Sequence, residues 1–302
     1  MARVALITTG AMEELALQKS LERIFPEHEF IAPKRLDGFT SSRLPPDYAS
    51  LRQRRPLLNI EKFAKTLIGR IAGGRRDEPR ADFVIGIEDM ELCNADCPAN
   101  ITGALRDAVA QNLEQWADGP KRERLRLALG ERCSFHLMTP MTEAYFFADP
   151  DALARATGPG LDHPNLFDPS SCDIEAFHVE DTVYLDTPTV PKAHRERHDW
   201  RVENRQGHPK SYLAYLTDPQ LDGKARYTET KHGAEALASL EWPNIVLGGR
   251  RPAVARFARS LIADLVDMLG TPERWPDLGA LELDECHPLT WAPARDTLLR
   301  NL

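Results

Sequence analysis

The chain has 302 residues, 42% of them hydrophobic and 28% charged, enough to bury a sizeable core in one large or two modest domains. Asp and Glu number 46 against 38 Lys and Arg, a formal charge of −8, which excludes a uniformly basic surface for indiscriminate nucleic-acid binding but leaves room for a local basic patch. No apolar run approaches the roughly 18 residues of a membrane span, the opening Met1–Ile7 lacks the features of a signal peptide, and five scattered cysteines do not form a disulfide framework, so a cytoplasmic protein is expected.

The first half alternates between strand and helix patterns. Val4 to Thr8 is a short β-branched run that ends at Thr9-Gly10. Leu17, Leu21 and Ile24 follow at helical spacing, with Glu13 and Glu14 in a first turn where acids suit the helix dipole. Phe30-Ile31 reads as a weak second strand, and residues 33–56, rich in Pro, Ser and Arg, read as an insertion. Ile60, Phe63, Ala64, Leu67 and Ile71 trace one face of an amphipathic helix that Gly73-Gly74 stops. Phe83 to Ile87 is a buried-type strand running straight into Glu88-Asp89-Met90-Glu91. Ile101, Leu105, Val109, Leu113 and Trp116 share one helical stripe, Cys133 to Met138 is a fourth strand, and 142–156 a further helix.

Such alternation predicts an α/β fold, a mostly parallel sheet with helices on both faces, spanning residues 1–157. Residues 158–302 are less regular and read as a largely helical extension packed on that core, with a loop over 158–175, a strand at Val183-Tyr184-Leu185, and a strong helical stripe from Val254 to Leu269.

In open parallel sheets ligands bind beyond the carboxyl ends of the strands. There this sequence places Glu13 after the first strand, Glu88, Asp89 and Glu91 after the third, and Glu143 after the fourth. Converging carboxylates repel unless a cation neutralises them, and an all-oxygen cluster suits Mg²⁺ or Mn²⁺. The metal candidates are Asp89, Glu91, Glu143 and Glu88, and the catalytic candidates are Glu13 and Glu143.

The order Thr9-Gly10-Ala11-Met12-Glu13, Ile87-Glu88-Asp89-Met90-Glu91 and Glu143-Ala144-Tyr145-Phe146-Phe147-Ala148-Asp149-Pro150 resembles a bacterial Toprim-like family of uncharacterised domains. Its first segment is similar to the family's Glu-Gly-x-Thr-Glu opening, its second to the Asp-x-Asp strand end, and its third to a Glu-Ala-aromatic segment ending in Asp-Pro. His208-Pro209-Lys210-Ser211 and Tyr227 to Gly233 echo later Pro-Ser-Lys and Tyr-x-Lys…Gly elements. The resemblance implies a Toprim-like (Rossmannoid) sheet, a divalent-metal-dependent nuclease or phosphodiesterase activity, phosphate contacts from Lys210 or Lys231, and an ABC-type ATPase partner in phage defence. Thr9 departs from the family, which has Glu there; a hydroxyl brings a metal no charge, so the alternative is a non-catalytic scaffold or regulatory subunit of an ATPase-containing complex.

Other patterns carry less. Cys93 and Cys97, with Cys133, His136 and Cys172 as the remaining pool, lack the second closely spaced pair of a zinc site. His194-x-x-x-His198 lacks the Glu of a metalloprotease motif. Basic clusters at 52–55, 70–80, 121–126 and 250–259 fit either solvated faces or a phosphate-tracking surface.

Overall fold

The computed structural model describes residues 1–36, 41, 44, 58–73, 80–116, 119–158, 173–190, 200–218, 220–222, 224–248, 255–290 and 297–302. Strand β1 (Arg3–Thr8) leads into helix α1 (Ala11–Glu22), then β2 (Glu29–Arg35), α2 (Leu58–Ile71) and β3 (Phe83–Asp89). Helices α3 (Pro98–Trp116) and α4 (Gly119–Arg132) precede β4 (Cys133–Met138). The four strands form one parallel sheet in the order β2-β1-β3-β4.

Alternation along each strand feeds two cores. Val4 and Leu6 of β1, Ile85 and Ile87 of β3 and Met138 of β4 face one core, while Ala5, Ile7, Val84, Phe135 and Leu137 face the other. Helices α2, α3 and α4 cover the second face, with Phe63 edge-on to Phe135 at 5.6 Å between ring centres. Gly86 keeps this approach open, because a Cβ there would stand 2.7 Å from the Phe63 ring.

Helix α1 shares the first face with the second half of the chain: α5 (Pro150–Thr157), α6 (Thr182–Asp186), α7 (Pro209–Leu216), α8 (Ala234–Ser239), α9 (Trp242–Val246) and α10 (Arg256–Leu269). The extension is therefore half of the core on that side. Helix α10 meets β4 through a buried pair, His136 Nε2 to Asp264 Oδ2 at 3.0 Å, and Arg300 Nε reaches Asp264 Oδ1 at 2.7 Å. The outer edge of β4 is occupied by the Asn301 amide, which accepts from Phe135 N–H at 3.0 Å and donates to Phe135 O at 2.8 Å. An edge strand is thus closed by a side chain.

Three expectations change, and the basic cluster at 121–126 gains a helical setting. Val183-Tyr184-Leu185 is a helical turn, not a strand: Asp181 accepts the N–H of Tyr184 at 3.1 Å, so the segment starts with a cap and turns Tyr184 inward. Residues 142–156 are a 3₁₀ segment, Thr142–Ala148, followed by α5, because Pro150 disfavours a helical Asp149, whose carboxylate caps α5 instead. Strand β2 runs through Pro33 to Arg35, so the insertion starts later, and 37–40, 42–43 and 45–56 lie outside the described residues. Lys121 to Arg126 belong to α4, where Leu125 and Leu129 are the buried side of a highly charged helix. Residues 159–172, His194, His198, Arg52, Arg54, Arg55 and Val254 also lie outside the described residues. No helix among the described residues is long and apolar enough to cross a membrane.

Candidate functional site

The chain order reverses between β1 and β3, and a crevice opens there at the carboxyl ends of the strands. A cleft of about 430 Å³ occupies it, lined by Thr9, Gly10 and Glu13 after β1, Arg35 at the end of β2, Glu88, Asp89 and Glu91 from β3, Glu143 after β4, and His208, Lys210 and Glu229 from the second half. All five acids named from sequence line this one cleft.

Each acid is held differently. Glu13 sits in the first turn of α1, 5% exposed, and its Oε1 is buried without a hydrogen-bond partner among the described residues. Burial pushes its carboxyl up to about 7; the Thr142 hydroxyl pulls the other way and the Glu143 charge adds to the rise. Asp89 ends β3, and its Oδ1 accepts both the Thr142 N–H at 2.9 Å and the Thr142 hydroxyl at 3.1 Å. Burial, then Glu13 and Glu143, hold Asp89 well above the usual carboxylate range. Burial also raises Glu143, against the pull of Lys210, and the Tyr227 hydroxyl donates to its Oε1 at 3.2 Å.

Glu88 is engaged on both oxygens. The Ser41 N–H donates to Oε1 at 2.6 Å and the Thr9 hydroxyl donates to Oε2. Burial nonetheless pushes its carboxyl up to about 8. Ser41 also donates its hydroxyl to Asp89 O at 2.6 Å, and Asn94 Nδ2 donates to Ser41 O at 2.9 Å, so this residue of the insertion is fastened over the end of β3. Glu88 is therefore better suited to docking that segment than to ligating an ion. Glu91 stands at the rim with φ 62° and ψ 150°, a region that non-glycine residues occupy at a cost of order 1–3 kcal/mol and mostly at functional sites. Its N–H donates to Pro140 O at 2.8 Å, joining the loops after β3 and β4.

Lys210 pairs with Glu229. Burial works against its charge, but Glu143 and Glu229 outweigh burial and keep it protonated. Lys231, the other phosphate candidate, is exposed on the helical turn Glu229–Gly233 and does not line the cleft. Sequence reasoning did not single out Glu229, His208 or Arg35 as site residues. Glu229 and His208 lie within quoted segments, but their own positions carry no periodic or spacing signal.

Among the described residues, no group of three or more His, Cys, Asp and Glu side chains stands ready to hold a metal ion. Glu88 and one oxygen of Asp89 are already spent on hydrogen bonds. The donors still fit a hard cation. They are oxygens only, Glu13 Oε1 is orphaned among the described residues, and burial and then mutual repulsion raise Glu13 and Asp89. Mg²⁺ commonly takes one or two carboxylates and completes its shell with water and phosphate oxygens. No family model matches the chain, and neither a curated protein nor a solved structure matches it.

Proposed function

We propose that the cleft is the active site of a divalent-metal-dependent phosphodiesterase, a nuclease of Toprim type. The observation that supports this reading most is the convergence of Glu13, Asp89 and Glu143, from three segments far apart in sequence, on one cleft at the strand-order reversal. Asp89 and Glu143 would hold Mg²⁺ or Mn²⁺, with Glu91 at the rim. The ion, when bound, supplies charge stabilisation to a phosphoryl transition state and acidifies a bound water.

The chain's own groups divide the remaining work. Glu13, whose Oε1 has no hydrogen-bond partner among the described residues, would take a proton from an attacking water. Lys210 carries a fixed positive charge at the mouth of an acidic cleft, where a phosphate oxygen would displace part of its hold on Glu229. Tyr227 orients Glu143 through its hydroxyl. A partner ATPase and a role in phage defence belong to the same proposal through the family resemblance.

One observation favours the second reading, a non-catalytic scaffold: Thr9, standing where the resembled family has Glu, ties up Glu88. Incubation of the protein with DNA and RNA in Mg²⁺ or Mn²⁺, with and without chelator, separates the two. Chelator-sensitive cleavage that disappears in Glu143→Gln supports the enzyme. No cleavage of any nucleic acid with either ion supports the scaffold.

A further inference from the structure

His208 occupies the N-cap of α7 and lines the cleft two residues before Lys210. Its Nδ1 accepts the Ser211 backbone N–H at 3.3 Å. A ring nitrogen that accepts carries no proton, so the neutral imidazole holds its proton on Nε2. Burial, then the neighbouring Lys210 charge, pushes the ring down to about 4, so it is neutral at physiological pH. Among the described residues nothing hydrogen-bonds Nε2. Caps are ordinarily Ser, Thr, Asp or Asn, which do the same work with a smaller side chain. A histidine here fulfils the cap with one nitrogen and offers an unused N–H donor on a ring that lines the cleft.

The other charged groups of the lining are six carboxylates, Lys210 and Arg35. Arg35 lies beside the carbonyl of Thr9, to which its Nε donates at 3.3 Å. A phosphoryl group entering among acids needs donors that do not also neutralise the carboxylates a cation would use. A neutral N–H meets that need.

We propose that His208 is a substrate-binding residue whose Nε2–H, beside the Lys210 ammonium, seats a non-bridging oxygen of a phosphoryl group in the cleft. This rests on the phosphodiester reading of the site and names the group that recognises its substrate. The ring gives up no proton; it binds.

The test uses the full chain with ¹⁵N-labelled histidine and inorganic phosphate as probe, in the presence of Mg²⁺. The His208 signal, assigned by its loss in His208→Ser, is expected to report the neutral Nε2–H form at pH 7 and to shift as phosphate is added. Serine keeps an oxygen for the cap but cannot reach the cleft. His208→Ser is expected to keep the melting temperature and weaken phosphate binding roughly ten- to a hundredfold, the scale of one hydrogen bond to a charged group. In a cleavage assay the same variant is expected to raise KM and leave kcat nearly unchanged, since the contact is present in ground and transition states alike. A proton on Nδ1, a charged ring at pH 7, or unchanged phosphate affinity in His208→Ser overturns the proposal. If that variant fails to fold, His208→Asn, which also keeps a cap acceptor, assigns the signal, and the tautomer and the phosphate-dependent shift of the wild type decide. Phosphate binding through His208 in a protein that cleaves nothing sinks the nuclease reading and leaves this one standing. Cleavage that His208→Ser does not alter sinks this one alone.

Discussion

The Glu13 carboxylate folds back over Gly10, so that a Cβ at position 10 would stand 1.7 Å from Oε2 and 2.8 Å from Cδ. The Gly10 backbone, at φ −80°, is open to any residue, so the glycine is required for space and not for conformation. Gly10→Ala is therefore expected to push the carboxylate aside while the helix start survives. The melting temperature should stay within a few degrees. Chelator-sensitive cleavage should fall by on the order of a hundredfold, as for catalytic groups misplaced by an ångström. Thermal melts and a cleavage assay on the same preparation check both halves.

Asp89 and Glu143 should respond differently to truncation. Asp89 Oδ1 holds two donors of Thr142, so Asp89→Ala strands both and is expected to cost about 1–3 kcal/mol. Asp89→Asn keeps an acceptor at Oδ1 and should fold normally. Glu143→Gln removes a charge from a repelling cluster and should leave the metal-free protein as stable or slightly more so. Both conservative variants should abolish metal-dependent cleavage, and titration calorimetry with Mn²⁺ should show weakened binding. Urea melts of the three variants rank the structural costs.

The His136–Asp264–Arg300 cluster offers the opposite behaviour. All three sit away from the cleft, and Asp264 is wholly buried between an imidazole and a guanidinium. Asp264→Ala leaves the buried His136 without its partner while Arg300 keeps Asp267, and is expected to destabilise by about 1–3 kcal/mol. It should reduce folded protein without altering Mn²⁺ affinity per folded molecule. An equal loss of affinity would show that the cluster couples to the site.

Stability should fall as pH rises from about 5 to 8. Burial raises Glu13 and Glu175 to about 7 and Glu88 to about 8. The folded state then binds more protons than the unfolded one across that window. The stabilisation these groups provide is complete below the ordinary carboxylate range and is lost as pH passes the folded values. Glu175 is the cleanest probe, because it lies outside the cleft and takes the Tyr145 hydroxyl at 2.8 Å and the Ala258 N–H of α10 at 2.9 Å. Glu175→Gln should flatten part of the slope in urea melts taken at intervals of pH. Mg²⁺, if it binds the cleft, should stabilise more at pH 8 than at pH 5.

The alternation of short apolar runs with helical stripes was enough to call for a parallel sheet, and the strand at 133–138 ends where the periodicity ends it. Because parallel strands share one carboxyl edge, the acids after the first, third and fourth strands were bound to converge, and that geometry was legible without coordinates. What each acid does was not. Glu88 and Asp89 are neighbours in sequence, yet one is spent on Ser41 and Thr9 and the other reaches Thr142, a choice made by where two loops pack. His208 and Glu229 come to the cleft from more than 60 residues beyond Glu143, carried by helices that cover the first face of the sheet. Periodicity encodes which face of an element is apolar; it holds no information about which distant polar group completes a hydrogen bond. The helical turn at Thr182–Asp186 makes the same point on a small scale, since three apolar residues read as a strand until Asp181 caps them and the core takes Tyr184. The sequence determined the sheet and the edge where chemistry collects, because those follow from local pattern and chain connectivity. Tertiary packing alone decided which carboxylates are left to work there, because that depends on partners no local pattern names.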